Sequence, residues 1–337
     1  MNACLARITC GNAKGSGLYS RPMRSITETQ VARHLTPARR PAQLAALREA
    51  FEHFAQGRAT VLPRSRAALA QASGAPMVSA MGAVLPDMLG TKVYATLNGK
   101  FQFVVNLFDT TTGLPLATMS ANELTRVRTA ATTALAVDTL ARAQARVLGV
   151  FGNGVQAQAH VEALLGVRRF ERVMLHARSD APGTAARWSA EFGLPVEAVD
   201  AARVAAESDV IVTCTRATEP LFDGALVRPG TLVCAVGSSK PVARELDDTL
   251  LARAAAVVVE WKTAALAEAG ELVRAAPGTI APERLKELGE LLVAGHAPAA
   301  QDIVVYKSVG IGLEDIALAA MVLCDEAAAQ AGSEQPS

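Results

Sequence analysis

The chain has 337 residues, enough for two domains with substantial cores. Half of the residues are apolar, 19% are charged and the formal net charge is +1, so no basic field exists to draw in nucleic acid or an anionic membrane surface. Aromatic residues make up 4%, which argues against base-stacking platforms, and no run reaches the ~18–20 apolar residues of a membrane span.

Residues 1–24 hold four basic residues, no acid and several Gly and Ser, without an apolar stretch long enough for a secretory core. They read as a disordered lead-in, and a start at Met23 would lose no recognisable element. Residues 42–56 have helical spacing, with Leu44, Leu47, Phe51 and Phe54 on one face and Gly57 as the stop. Short β-rich runs follow at 61–62, 77–81, 92–97, 101–108 and 114–119, and they predict an antiparallel sheet. Asn98-Gly99 marks a tight hairpin, since both residues accept positive φ. Ser120-Ala-Asn-Glu123 is a capping-box sequence that opens a helix running to about Arg142.

From Arg146 the pattern becomes strand, helix, strand. Compact apolar runs at 147–151, 172–176, 210–214, 231–236 and 256–260 suit a parallel sheet covered on both faces. The apolar run 303–306 and Lys307-Ser-Val-Gly310 then lead into a helix from about Ile311 to Ala328. The fold class is α/β: a Rossmann-type doubly wound parallel sheet over 143–310, plus an α+β domain over 25–142 completed by the C-terminal helix 311–330.

The first of the parallel strands ends in Gly152-Asn153-Gly154-Val155-Gln156-Ala157. Gly152 can take the angles of a sharp strand-to-helix turn, Gly154 lacks the Cβ that would hold a pyrophosphate away, and Ala157 lets helix and strand pack closely. Amides at the helix start, with the helix dipole, suit phosphate. The turn therefore marks a dinucleotide site. The next strand ends in His176-Ala-Arg178-Ser179, where an NAD-preferring site places an acid for the ribose. Arg178 and Ser179 offer a 2′-phosphate a charged partner and a hydroxyl, which favours NADP over NAD; the competing reading has Asp180 reach the ribose. Thr215 stands where the strand 210–214 runs into a polar turn at its carboxyl end, a second marker of the ligand edge.

Four cations upstream could serve a substrate. Arg128 sits in a helix among small neighbours and can bind a carboxylate through two parallel hydrogen bonds. Lys92 in a β-rich run can be a proton donor if burial lowers its pKa. Arg64 and Arg66 follow Pro63, where the first strand gives way to irregular chain. The five cysteines are odd in number and lack CxxC spacing, which reads as buried thiols in a reducing, cytoplasmic setting, and the five histidines form no HExxH pair, so no metal site is expected.

Taken together, Gly90-Thr-Lys92, Thr112-Gly-Leu-Pro-Leu, Leu124-Thr-Arg-Val-Arg128-Thr-Ala-Ala, the glycine turn, Ala235-Val-Gly with Arg244-Glu-Leu-Asp, and Lys307-Ser-Val-Gly with Glu314-Asp315 resemble the ornithine cyclodeaminase/mu-crystallin family from about Ala59 to Asp325. The resemblance implies a homodimer, built from a substrate and dimerisation domain and an NAD(P)-binding domain, that moves hydride between nicotinamide and the α-carbon of an amino or imino acid. It assigns the substrate carboxylate to Arg128, the acid/base role to Lys92 and a second carboxylate contact to the arginine after Pro63. Arg66 matches a Pro-x-Arg spacing and is preferred over Arg64, which matches Pro-Arg. Ser308 and Val309 are placed near the nicotinamide. One departure matters: Ser239 stands where cyclodeaminases of the family carry a catalytic Asp, whereas the Ser239-Lys240-Pro241 run, Ala217-Thr-Glu-Pro220 and Arg244-Glu-Leu-Asp-Asp248 look like the ketimine-reductase, mu-crystallin-like branch. The implied activity is reduction of an imino acid, such as a cyclic ketimine of the pyrroline- or piperideine-2-carboxylate type. The alternatives are an ornithine cyclodeaminase or amino-acid dehydrogenase, and a binding protein that holds NADPH and a small ligand without turnover.

Overall fold

A computed structural model describes residues 22–69, 75–295 and 298–333. The expected lead-in falls outside the described residues as far as residue 21, as do Cys4, Cys10 and His296, but Arg24 already belongs to a strand. The chain divides into two compact units, one of residues up to Arg128 together with those from Ile311 onward, the other Thr129–Gly310.

The first unit is built on a six-stranded sheet. β1 (Arg24–Ile26) is followed by helices Glu28–His34 and Arg40–Ala55, then by β2 (Thr60–Ala68), β3 (Met77–Val84), β4 (Met88–Leu97), β5 (Lys100–Asp109) and β6 (Pro115–Ser120). Strands β2 to β6 form an antiparallel meander, and β1 adds itself parallel to β6, giving the order β1-β6-β5-β4-β3-β2. The β4–β5 turn uses Asn98 and Gly99 at φ 50° and 72°, the mirror-image geometry that Asn-Gly tolerates.

One strand runs longer than its sequence suggests. β2 continues through Arg64 and Arg66 to Ala68, and its register against β3 shifts between Leu62 and Ser65. Pro63, which cannot donate to a ladder, lies at this irregularity and on an edge strand, the two places where a sheet tolerates it. Neither arginine is in irregular chain.

Burial alternates along β4, with Met88, Gly90, Lys92 and Tyr94 pointing to the covered face. The C-terminal helix Gly312–Ser333 lies on that face and approaches closely because two glycines meet: a Cβ on Gly312 would come within 2.3–2.5 Å of the Gly82 backbone. A Cβ on Gly90 would likewise meet Ile316 at 2.8 Å.

The helix Asn122–Leu140 begins in this unit, and the division falls at Arg128 within it. Its start corrects the expected capping box. Ser120 closes β6, and the amides of Asn122 (3.3 Å) and Glu123 donate to the carboxylate of Glu28, so a distant acid supplies the cap.

In the second unit, β7 (Val147–Phe151), β8 (Arg172–His176), β9 (Val196–Ala198), β10 (Val210–Thr213), β11 (Leu232–Ala235), β12 (Ala256–Val259), β13 (Leu285–Glu287) and β14 (Val304–Lys307) form one parallel sheet in the order β13-β12-β14-β11-β10-β7-β8-β9. The β9-β8-β7-β10-β11-β14 portion is the doubly wound Rossmann arrangement, with its switch point between β7 and β10. The apolar runs that marked these strands are buried because both faces are covered; Phe151, Ile211, Val233, Val257 and Val305 share one core with Phe222 and Leu250. β14 comes last in sequence yet inserts between β11 and β12, a placement that local pattern does not carry. No helix among the described residues is long and apolar enough to cross a membrane.

Replacing Gly312 by Ala forces backbone apart where no flexible side chain can yield. We expect a loss of about 1–3 kcal/mol, read as a Tm several degrees lower. An unchanged Tm would show that the helix does not pack as described.

Candidate active site

In the second unit the carboxyl ends of β7, β8, β10, β11 and β14 bring most of the expected dinucleotide residues to one edge of the sheet. Gly152 has φ +103°, its amide donates to the His176 carbonyl at 2.8 Å, and a Cβ there would stand 2.7 Å from the Cys214 carbonyl oxygen. Only glycine fits. Gly154 caps the helix Val155–Leu165 in extended conformation, and a Cβ built on it meets nothing within 4 Å. Its glycine character thus serves no internal packing; it leaves open space in front of a helix N-terminus that carries no side-chain cap. Val155 is 68% exposed at the helix start, whereas Ala157 is fully buried beneath it. These features fit a pyrophosphate.

Asn153 donates its side-chain amide to the Ser179 carbonyl (2.7 Å) and the Thr184 hydroxyl (3.1 Å), tying the glycine turn to the segment after β8. Gln156 serves the helix, its carbonyl hydrogen-bonded to His160 Nδ1 at 2.7 Å. Arg178 and Ser179 are exposed, and no acid follows β8 until Asp180. Asp180 takes a left-handed conformation (φ 46°) and folds its carboxylate over the first turn of the helix Ala181–Phe192, where a Cβ on Gly183 would meet it at 2.3 Å.

Thr215 belongs to a buried polar hub. The carboxylate of Glu245 accepts from the Thr213 hydroxyl (2.6 Å), the Thr215 hydroxyl (2.7 Å) and amide (2.8 Å), and the Gly237 amide (2.9 Å). Behind it, Glu271 accepts from the Glu245 amide at 2.8 Å and pairs with Lys307 at 3.0 Å, whose ammonium also donates to the Ser238 carbonyl at 2.9 Å. Glu260 accepts from Tyr306 (3.1 Å) and from the amides of Val309 (3.1 Å) and Gly310 (3.3 Å), holding the Ser308–Gly310 turn in place. Cys214 and Cys234 are free thiols. Burial pushes Cys214 and Cys234 up, with the Glu245 carboxylate adding to the effect on Cys214, so neither is a nucleophile near neutral pH.

In the first unit, Lys92 and Arg128 come together through a residue that sequence reasoning does not select. Asp315 Oδ1 accepts from Lys92 Nζ at 2.8 Å and from Arg128 Nε at 3.0 Å, while Arg128 also donates to Glu314 Oε2 at 2.6 Å. All four side chains are buried. Lys92 stands 4.5 Å from the centroid of the Phe103 ring. Its pKa is lowered to about 8, chiefly by burial and then by the positive charges of Arg128 and Arg64, against the opposing pull of Asp315. Arg64 is half-buried, whereas Arg66 is exposed.

Glu314 and Asp315 enter the sequence reading only as part of the resemblance. Two acids in the first turn of a helix ordinarily complement its dipole, and that reading hides their second role. What could have singled them out is their place at the head of a 22-residue helix that is otherwise almost wholly apolar and small over its first three turns. Among the described residues no cluster of His, Cys, Asp or Glu is arranged to hold a metal.

A model of the ornithine cyclodeaminase/mu-crystallin family matches residues 25–330. The chain is 39% identical over 231 residues to a Delta(1)-pyrroline-2-carboxylate reductase of Bacillus cereus, covering 66% of this chain and 70% of that one. It is similar to the crystal structure of a probable ornithine cyclodeaminase from Bordetella pertussis Tohama I, at 42% identity and a TM-score of 0.85 over 92% of this chain and 99% of the other. The iminosuccinate reductase of Paracoccus denitrificans, solved in complex with NAD+, follows at 29% identity and a TM-score of 0.84, over 93% of this chain and 98% of that one. The chain belongs to the ornithine cyclodeaminase/mu-crystallin family.

Proposed function

We propose that the protein is an NADPH-dependent reductase of imino acids, acting on a cyclic ketimine such as pyrroline- or piperideine-2-carboxylate. The observation that carries this reading is the buried arrangement of Lys92 and Arg128 on one carboxylate: a proton donor and an anion-binding fork held at fixed spacing. Arg128 binds the substrate carboxylate, its plane set by Asp315 and Glu314. Arg64, whose charge reaches Lys92, makes the second carboxylate contact in preference to the exposed Arg66. Reduced nicotinamide, when bound, supplies the hydride that adds to the C=N carbon. Lys92 gives the nitrogen its proton, a task that a pKa of about 8 suits.

Gly152, Gly154, Val155, Gln156 and Ala157 form the pyrophosphate cradle, Arg178 and Ser179 receive the 2′-phosphate, and Ser308 and Val309 line the nicotinamide end with Thr215. Ser239 favours reduction over cyclodeamination, because a hydroxyl is no ionised base near neutral pH. Free thiols at Cys214 and Cys234 suit a reducing cytoplasm. The outer face of the six-stranded sheet exposes Leu62, Val78, Val84 and Val104, each at least 41% accessible, and a second copy of the chain covers it.

Lys92→Ala should cut kcat by about 10²-fold or more while NADPH affinity stays within a fewfold. In the unaltered protein the rate should fall as pH rises through about 8, since Lys92 donates only when protonated and its protonated form is lost above that pKa. Retained turnover in the alanine variant, or a rate that holds well above that pH, would remove Lys92 from the chemistry.

Arg178→Ala should weaken NADPH binding about tenfold or more, roughly 1.4 kcal/mol, and leave NADH nearly unchanged. Equal losses for both cofactors would mean that Arg178 does not touch a 2′-phosphate.

Light scattering should give a mass of two chains, and Val78→Lys combined with Val104→Lys should give one. A monomeric unaltered protein contradicts the dimer.

A further inference from the structure

We infer that Asp315 holds the substrate nitrogen itself: its Oδ2 accepts the N–H of the protonated imine, so the site takes up the iminium and not the neutral imine. The inference rests on the imine-reductase reading above and names a substrate contact within it.

The geometry is specific to one oxygen. Asp315 Oδ1 already accepts from Lys92 and Arg128, whereas Oδ2 is buried and has no hydrogen-bond partner. Buried carboxylate oxygens are rarely left so, because water has been removed and nothing replaces it. Of the other buried oxygens without a hydrogen bond among the described residues, Ser79 Oγ, Thr96 Oγ1 and Ser208 Oγ belong to hydroxyls that can rotate, Gln156 Oε1 to an amide that can turn, and Glu271 Oε2 has Lys307 Nζ at 3.0 Å. A carboxylate can only accept. Both oxygens of the neighbouring acid are engaged, since Glu314 Oε2 accepts from Arg128 and Oε1 from the Ile311 amide at 2.9 Å.

Substrate geometry points to the same atom. The nitrogen of an α-imino acid is two bonds from its carboxyl carbon, so a group that binds the nitrogen must adjoin the one that binds the carboxylate. Asp315 adjoins Arg128 at 3.0 Å. Charge agrees as well: beside Lys92 and Arg128 a cationic iminium needs an anion in direct contact, and a charge-assisted N–H···O bond supplies it.

The step balances. Hydride adds to the α-carbon, which is reduced, and the dihydronicotinamide that donates it is oxidised to its cation. The C=N π pair moves onto nitrogen, the original hydrogen stays bonded to nitrogen and hydrogen-bonded to Asp315 Oδ2, and the new lone pair takes a proton from Lys92. The product is the amino acid with a secondary ammonium, and Lys92 regains its proton from solvent.

The test compares two ligands that differ at one atom, L-proline and (S)-tetrahydrofuran-2-carboxylate, whose ring oxygen carries no hydrogen. Calorimetry on the protein saturated with NADP+ should show proline binding at least tenfold tighter. In Asp315→Asn, with folding monitored by its Tm and by retained NADP+ affinity, the preference should fall below threefold. Equal binding of the two ligands by the unaltered protein overturns the inference without any variant, as does an undiminished preference in a folded Asp315→Asn. Binding of neither ligand overturns the imino-acid reading and this contact with it, an outcome separate from equal binding.

Discussion

A lysine in the middle of a sheet, removed from water, keeps its charge only because a carboxylate was brought to it. Lys92 and Arg128 place two positive charges in one buried region of the first unit, and the first turn of the C-terminal helix returns two negative ones. Removing a single partner would strand the others, since an uncompensated buried charge is among the costliest defects a fold can carry. Much of this unit's architecture answers that constraint. The helix must reach the sheet at the right depth, and Gly82, Gly90 and Gly312 let it do so; the helix Gly312–Ser333 must also belong to this unit and not to the one that precedes it in sequence.

The same cluster shows how burial and a neighbouring carboxylate together set a lysine's hold on its proton. Burial alone would drive Lys92 to neutrality and Asp315 alone would keep it charged; their opposition leaves a pKa of about 8, where a proton can be given up and regained. The second unit follows a different logic. Its charges at Glu245, Glu271 and Lys307 are consumed internally, by hydroxyls, amides and one another, and they build shape.

Legibility in the sequence follows the range of the forces involved. Strands β7, β8, β10, β11 and β12, the Asn98-Gly99 hairpin and the glycine turn rest on interactions within a few residues, and sequence pattern carries them almost to the residue, whereas the three-residue strands β9 and β13 are too short to leave one. β2 reads too short because Pro63 resembles a terminator, and only its edge position makes it harmless. The cap on the helix Asn122–Leu140 reads wrongly because Glu28, far away in sequence, outcompetes Ser120. Asp315 escapes for a related reason: its partners lie 223 and 187 residues away, and no periodicity records such a distance.

The Glu245 hub has a consequence for how cofactor use can change. Its acceptors are satisfied within the protein, so the carboxyl ends of β10 and β11 are tied to one carboxylate by hydrogen bonds. Arg178, by contrast, lies exposed at the end of β8. On the proposed reading, in which Arg178 receives the 2′-phosphate, placement of the cofactor and choice between its phosphorylated and unphosphorylated forms fall to different residues, one set in the core and one at the surface. On that reading a lineage would switch nucleotide by exchanging a solvent-facing residue, without reopening the buried hub.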